Sequence, residues 1–196
     1  MNKGKLIVIY GANNLGKSTQ SKMLVRALKN IGINATLVKY PIYDLAPTGP
    51  KLNSILRGGD KLLGELELQK LFVQNRFDFQ PKLLGILNKG IWVVAEDYKG
   101  TGMAWGMVRG LDINDLEKMN QGLVDEDLSI LLFGERFKKS VEKNHINEKN
   151  EAVWQKGQEK HLELAERFKW VKISANGSKI SVHQKIWEVV KQKFSL

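Results

Sequence analysis

Cysteine is absent from this 196-residue chain, so neither disulfides nor thiolate-bound metals enter its fold or chemistry. Proline is scarce: there are 4 residues, and Pro41, Pro47 and Pro50 crowd into one stretch. No apolar run approaches the roughly 20 residues that a membrane span needs, so no membrane partner is expected. The start, Met1-Asn2-Lys3-Gly4, leads straight into a short apolar run and lacks the longer apolar stretch and cleavage site of a secretory signal. A cytoplasmic location is the expectation. Arginine clusters are missing, and so is the aromatic–basic interleaving that grips single strands. The formal charge of +10 comes mostly from lysines spread among glutamates. Specific nucleic-acid binding is therefore not expected, although the charge suits a small anionic substrate.

What is present describes one globular domain covering residues 1–196. Hydrophobic residues make up 42% and charged residues 27%, an ordinary balance for a chain long enough to bury one core. Short β-rich or apolar runs fall at 5–10, 34–40, 90–95, 128–133 and 170–174. Helical periodicity separates them, at 16–31, 65–88, 112–121, 151–168 and 178–194. Gly32 stands where a helix C-terminal glycine belongs, and Asp112 where an N-cap belongs. Pro81 either starts a second helix within 65–88 or kinks the first. Residues 44–60 form a loop with a short helix near 52–56, and 99–110 are glycine-rich and irregular. The final helix should bury Ile180, Val182, Ile186, Trp187 and Val190. Alternating strands and helices predict an α/β fold: a doubly wound, five-stranded parallel sheet with helices on both faces.

Gly11-Ala12-Asn13-Asn14-Leu15-Gly16-Lys17-Ser18 fits G-x-x-x-x-G-K-[ST]. It follows a buried strand and opens a helix, the context in which such a loop holds phosphates. Glycines let the backbone curl its N–H groups toward the anion, and the helix N-terminus adds positive potential. Lys17 would reach the β- and γ-phosphates of ATP, Ser18 would offer its hydroxyl to Mg²⁺, and Thr19 would touch another phosphate. G-x-G-x-x-G is absent, which argues against a dinucleotide site. Glu96 and Asp97 end the third strand, at the edge where ligands of open α/β sheets bind. Strand alternation aims only one of them at the phosphate loop; Glu96 is the first choice as catalytic group and Mg²⁺ partner, Asp97 the second.

These residues resemble the thymidylate kinases, within the nucleoside monophosphate kinase group of P-loop proteins. Beyond residues 11–19, the likeness runs through Tyr40-Pro41, Leu52-Asn53-Ser54-Ile55-Leu56, Leu71-Phe72-Val73-Gln74-Asn75-Arg76, Glu96-Asp97-Tyr98, Gly102, Trp105 and Trp154-Gln155. It implies a kinase with ATP as donor, Mg²⁺ as cofactor, and a nucleotide or nucleoside as acceptor. It implies substrate contacts by Pro41, Tyr43, Phe72, Arg76, Tyr98, Gly102, Trp105 and Gln155. A small helical lid near 134–150 would supply a catalytic arginine, for which Arg136 is the candidate, with Lys138, Lys139, Lys143 and Lys149 beside it. Related kinases are often dimers, and a homodimer is implied on that ground alone.

The sequence also departs from the family pattern. Asp97 stands where a substrate-phosphate arginine is expected, and Tyr43 near another. Asn13 and Asn14 replace an acid and, in some members, an arginine. Lys99, in a shifted register, would be a weaker replacement. Three readings follow: phosphoryl transfer to a deoxynucleoside monophosphate, most simply dTMP to dTDP; a deoxynucleoside kinase whose acceptor has no phosphate; and a degenerate member that binds nucleotide without turnover.

Overall fold

A computed structural model describes residues 3–57, 63–137 and 150–196. Five strands, β1 (Leu6–Tyr10), β2 (Ala35–Lys39), β3 (Trp92–Glu96), β4 (Leu128–Phe133) and β5 (Val171–Ser174), form one parallel sheet in the order β2-β3-β1-β4-β5. Every residue of β1 is fully buried, as expected for a central strand covered on both faces. Leu6, Val8 and Tyr10 face one core, and Ile7 and Ile9 the other. Seven helices lie among the described residues: α1 (Lys17–Asn30), α2 (Thr48–Leu56), α3 (Glu65–Asn88), α4 (Lys99–Val108), α5 (Ile113–Met119), α6 (Glu151–Arg167) and α7 (Lys179–Phe194). α1 and α7 cover one face with Leu24, Leu28, Val182, Ile186 and Val190. α3, α4 and α5 cover the other, and α6 gives residues to both cores. This is the doubly wound sheet read from the sequence.

Some expectations need correction. Residues 99–110 are not irregular: 99–108 form α4, and its glycines serve packing rather than flexibility. A Cβ at Gly100 would overlap the Trp170 ring, one at Gly102 the Arg76 guanidinium, and one at Gly106 the Leu116 side chain. Helix 65–88 is a single element with Pro81 inside it. Ile180 is 58% exposed; it lies in the first turn of α7, off the buried stripe Val182, Ile186, Val190. The lid expected at 134–150 falls mostly on 138–149, outside the described residues; its lysines 138, 139, 143 and 149 lie there too. Asp112 does cap α5, accepting from the N–H groups of Asn114 and Asp115.

α4 and α6 meet through one tight contact. Gly157 lets the Trp105 ring lie against α6, and the buried His161 stands one turn on, edge-to-face with Trp105 at 6.2 Å. His161 Nδ1–H donates to the Gly157 carbonyl at 2.7 Å, while Nε2 finds no partner among the described residues. Burial pushes the imidazole pKa down from 6.5 to about 4.

Two outcomes follow from this packing. Gly100→Ala should cost about 1–3 kcal/mol, because overpacking against the stacked Tyr10–Trp170 rings outweighs a small propensity gain in a first helical turn; urea unfolding measures it. For His161 the unfolded chain takes up the proton first, so stability is full above pH 6.5 and falls as pH drops toward 4. Between pH 7.5 and 5.5 this group should account for about 1 kcal/mol of lost stability. Urea midpoints at the two pH values should move further apart in the native chain than in His161→Gln, and equal separations would disprove the assignment.

Candidate active site

The phosphate loop leaves the end of β1 and turns into α1. Gly11 needs its missing Cβ, since φ is +145° and a side chain would press on the Leu132 carbonyl. Gly16, at φ +82°, is the N-cap of α1. The cap makes no side-chain hydrogen bond, and the first turn carries no acid. That leaves the positive helix end suited to an anion. The loop is also fastened from outside: the Trp154 indole N–H donates to the Asn13 carbonyl at 2.7 Å and the Phe137 N–H to the Asn14 carbonyl at 2.8 Å. Lys17 is 6% exposed, and its ammonium donates to the Gly11 and Ala12 carbonyls at 2.8 and 3.0 Å.

Both carboxylates after β3 reach the same cleft, against the expectation that alternation would turn one away. Asp97 adopts a left-handed backbone, φ +62°, which breaks the strand's alternation. Ser18 Oγ–H donates to Glu96 Oε1 at 2.7 Å, and Lys39 Nζ lies 3.0 Å from the same oxygen. Asp97 Oδ1 accepts from the Thr101 hydroxyl at 2.7 Å and lies 3.7 Å from Lys17 Nζ. Burial raises the Asp97 pKa, against the pull of the nearby Lys17 charge.

The cleft holds about 440 Å³, the scale of a nucleotide site. Asn13, Asn14, Gly16, Lys17, Ser18 and Thr19 line one end; Pro41, Tyr43, Phe72 and Trp105 line the other, with Glu96 and Asp97 between. A small inner pocket opens beneath, walled by Tyr40, Phe72, Arg76, Tyr98, Gly102 and Trp105. Arg76 is 4% exposed; its guanidinium donates to Asn120 Oδ1 at 3.0 Å and has no carboxylate partner among the described residues. Burial lowers its pKa. The Tyr40 and Tyr98 hydroxyls are buried there without a hydrogen-bond partner among the described residues, and burial raises both pKa values. An aromatic slot with a buried guanidinium and two phenols suits a planar ligand with polar edges.

Three residues lie elsewhere than the sequence reading placed them. Gln155 is exposed on α6 and lines neither cavity, while its neighbour Trp154 holds the loop. Arg136 pairs with Glu151 at 2.6 Å and stacks over Trp154; Phe137, not Arg136, lines the cleft. Lys99 does not take the place of an arginine, because it pairs with Asp125 and Glu126 in a different cavity. Gly11 and Leu15 are buried within the loop and do not line the cleft. Sequence reading missed Lys39, Arg57, Thr101 and Phe137 as cleft residues. For Lys39 a signal existed: the end of β2 lies in register with Glu96.

Comparison with known proteins agrees with this fold. The sequence matches the family model for thymidylate kinase over residues 9–186. It is 29% identical to the thymidylate kinase of Schizosaccharomyces pombe over 96% of this chain and 92% of that one. It is 34% identical to the Plasmodium falciparum thymidylate kinase over 66% of this chain and 61% of that one. The fold superimposes on the thymidylate kinase of Candida albicans with a TM-score of 0.83 at 23% identity, covering 97% of this chain and 92% of the other.

The Trp154 contact yields a test within the loop. Trp154→Phe keeps an aromatic ring but removes the N–H that holds the Asn13 carbonyl. It should cost about 1–2 kcal/mol in stability and raise the KM for the triphosphate several-fold, with the acceptor KM unchanged. Steady-state kinetics with each substrate varied in turn checks this.

Proposed function

The chain belongs to the thymidylate kinase family, and from that premise we propose that it transfers the γ-phosphoryl group of ATP to a deoxynucleoside monophosphate, with dTMP as the principal acceptor and dTDP as product. The observation that carries this reading is the face-to-face layout of one cleft. A phosphate loop forms one end, an aromatic slot over a buried guanidinium forms the other, and two carboxylates stand between them.

Each group has a task that its position supports. Phosphate oxygens replace the Gly11 and Ala12 carbonyls as acceptors for Lys17, whose charge then follows the β- and γ-phosphates. The N-terminus of α1 adds potential at the same point. Phe72 and Trp105 clasp the base, and Arg76, with the Tyr40 and Tyr98 hydroxyls, meets its polar edge. An oxygen of the acceptor phosphate forms the new bond to the γ-phosphorus while the bond to the β-phosphate breaks and ADP leaves. Ser18 and Glu96 are hard oxygen donors at the loop's edge and fit Mg²⁺. Bound there, the ion would offset charge on the β- and γ-oxygens. A homodimer and a cytoplasmic setting belong to the same reading; gel filtration at twice the chain's mass checks the first. No helix among the described residues is long and apolar enough to cross a membrane.

A second reading has one observation in its favour. Asp97 brings a negative charge into the cleft where a phosphate-bearing acceptor would sit. A deoxynucleoside acceptor avoids that repulsion, and a carboxylate could take the proton of its 5′-hydroxyl.

Purified protein with ATP-Mg²⁺ should convert dTMP to dTDP with matching ADP release. Lys17→Ala should abolish turnover, a loss of roughly 100-fold or more for a phosphate-clamping charge. Turnover of thymidine but not dTMP would replace the first reading with the second, and ATP binding without turnover of any acceptor would sink both.

A further inference from the structure

We propose that Lys39 and Arg57, with Tyr43 between them, clamp the anionic phosphate of the acceptor. The proposal rests on the monophosphate reading above and names the residues that would make it work.

Two carboxylates, Glu96 and Asp97, face the cleft. An acceptor phosphate entering there meets like charge, and Lys17 is committed to the triphosphate loop. Cations must answer those carboxylates from the acceptor side. Among the described residues that line the cleft, the cations outside the phosphate loop are Lys39 and Arg57. Arg76 lies deeper, in the inner pocket with the aromatic rings.

Three different elements bring the clamp together. Lys39 is the last residue of β2, paired in register with Glu96, and its ammonium lies 3.0 Å from Glu96 Oε1. Ser18 donates to the same oxygen, so Lys39 stands at the boundary between the triphosphate end and the acceptor end. Arg57 is the C-cap of α2, with its guanidinium 5.2 Å from the centre of the Tyr43 ring. Burial raises the Tyr43 pKa, against the pull of the nearby Arg57 and Lys39 charges. An ammonium, a guanidinium and a phenol thus converge on one corner of the cleft, a donor set suited to a phosphate dianion. The Lys39 side chain is 55% exposed and Arg57 is exposed, so neutral replacements leave the core intact.

The test compares dTMP with thymidine, which differ only in the phosphate. Calorimetric titrations and steady-state kinetics are run on the native chain, Lys39→Met, Arg57→Met and Lys39→Arg, with thermal melts to confirm folding. The native chain should bind dTMP roughly 100-fold tighter than thymidine, and each neutral variant should lose about 10-fold or more on dTMP, the effect of one charge-assisted bond. Thymidine affinity should stay within about two-fold in both Met variants, the KM for ATP should stay within about two-fold in Arg57→Met, and Lys39→Arg should keep most of the dTMP affinity. If the native chain prefers dTMP and both Met variants keep that preference, the clamp is wrong and the monophosphate reading stands. Equal losses on thymidine and dTMP would also overturn the clamp, as a structural effect. A native chain that prefers thymidine would overturn clamp and reading together.

Discussion

One carboxylate oxygen joins the halves of this site. Glu96 Oε1 receives the Ser18 hydroxyl from the phosphate loop and faces the Lys39 ammonium from the edge strand. The three residues come from α1, β3 and β2, which the parallel register sets side by side. Glu96 is itself 4% exposed, and burying a carboxylate is costly unless it is paired and hydrogen-bonded. Removing either partner would leave charge exposed to a poorly solvating wall, so the loop, the central sheet and the acceptor edge are energetically linked at this atom.

Around that centre the architecture trades flexibility for close approach. The glycines of α4 let Trp170, Arg76 and Leu116 press onto its backbone. On α6, Gly157 does the same for Trp105, which lines both the cleft and the inner pocket. The aromatic slot therefore belongs to rigid helices rather than to loops, which favours a fixed geometry for whatever it holds. The phosphate loop is fastened from outside as well, through Trp154 and the backbone of Phe137.

The electrostatics of the cleft depart from a simple cationic funnel. Asp97, deeply placed beside Lys17 and carrying a raised pKa, puts an acid where the family pattern leads one to expect an arginine. Its left-handed backbone turns it toward the cleft instead of away. Lys99, two residues along the chain, is spent on Asp125 and Glu126 at a different cavity. Charge balance at the acceptor end thus falls to groups far away in sequence, Lys39 and Arg57.

Much of this was legible in the residues. Strand and helix periods, the order of elements and the G-x-x-x-x-G-K-S loop are local patterns, because buried strands and amphipathic helices carry their own spacing. Phe72 and Arg76 could be paired from helical spacing alone. What sequence could not decide was tertiary. The α4 glycines looked like breakers, since only a neighbour's ring distinguishes a packing glycine from a flexible one. Glu96 and Asp97 looked opposed, because alternation fails only where a backbone angle turns left-handed. Trp154 rather than Gln155 met the loop, a choice set by how α6 rolls against the sheet. Sequence alone determined the chemistry available; only the packed structure decided which charges share a cleft, because that depends on long-range contacts no local pattern encodes.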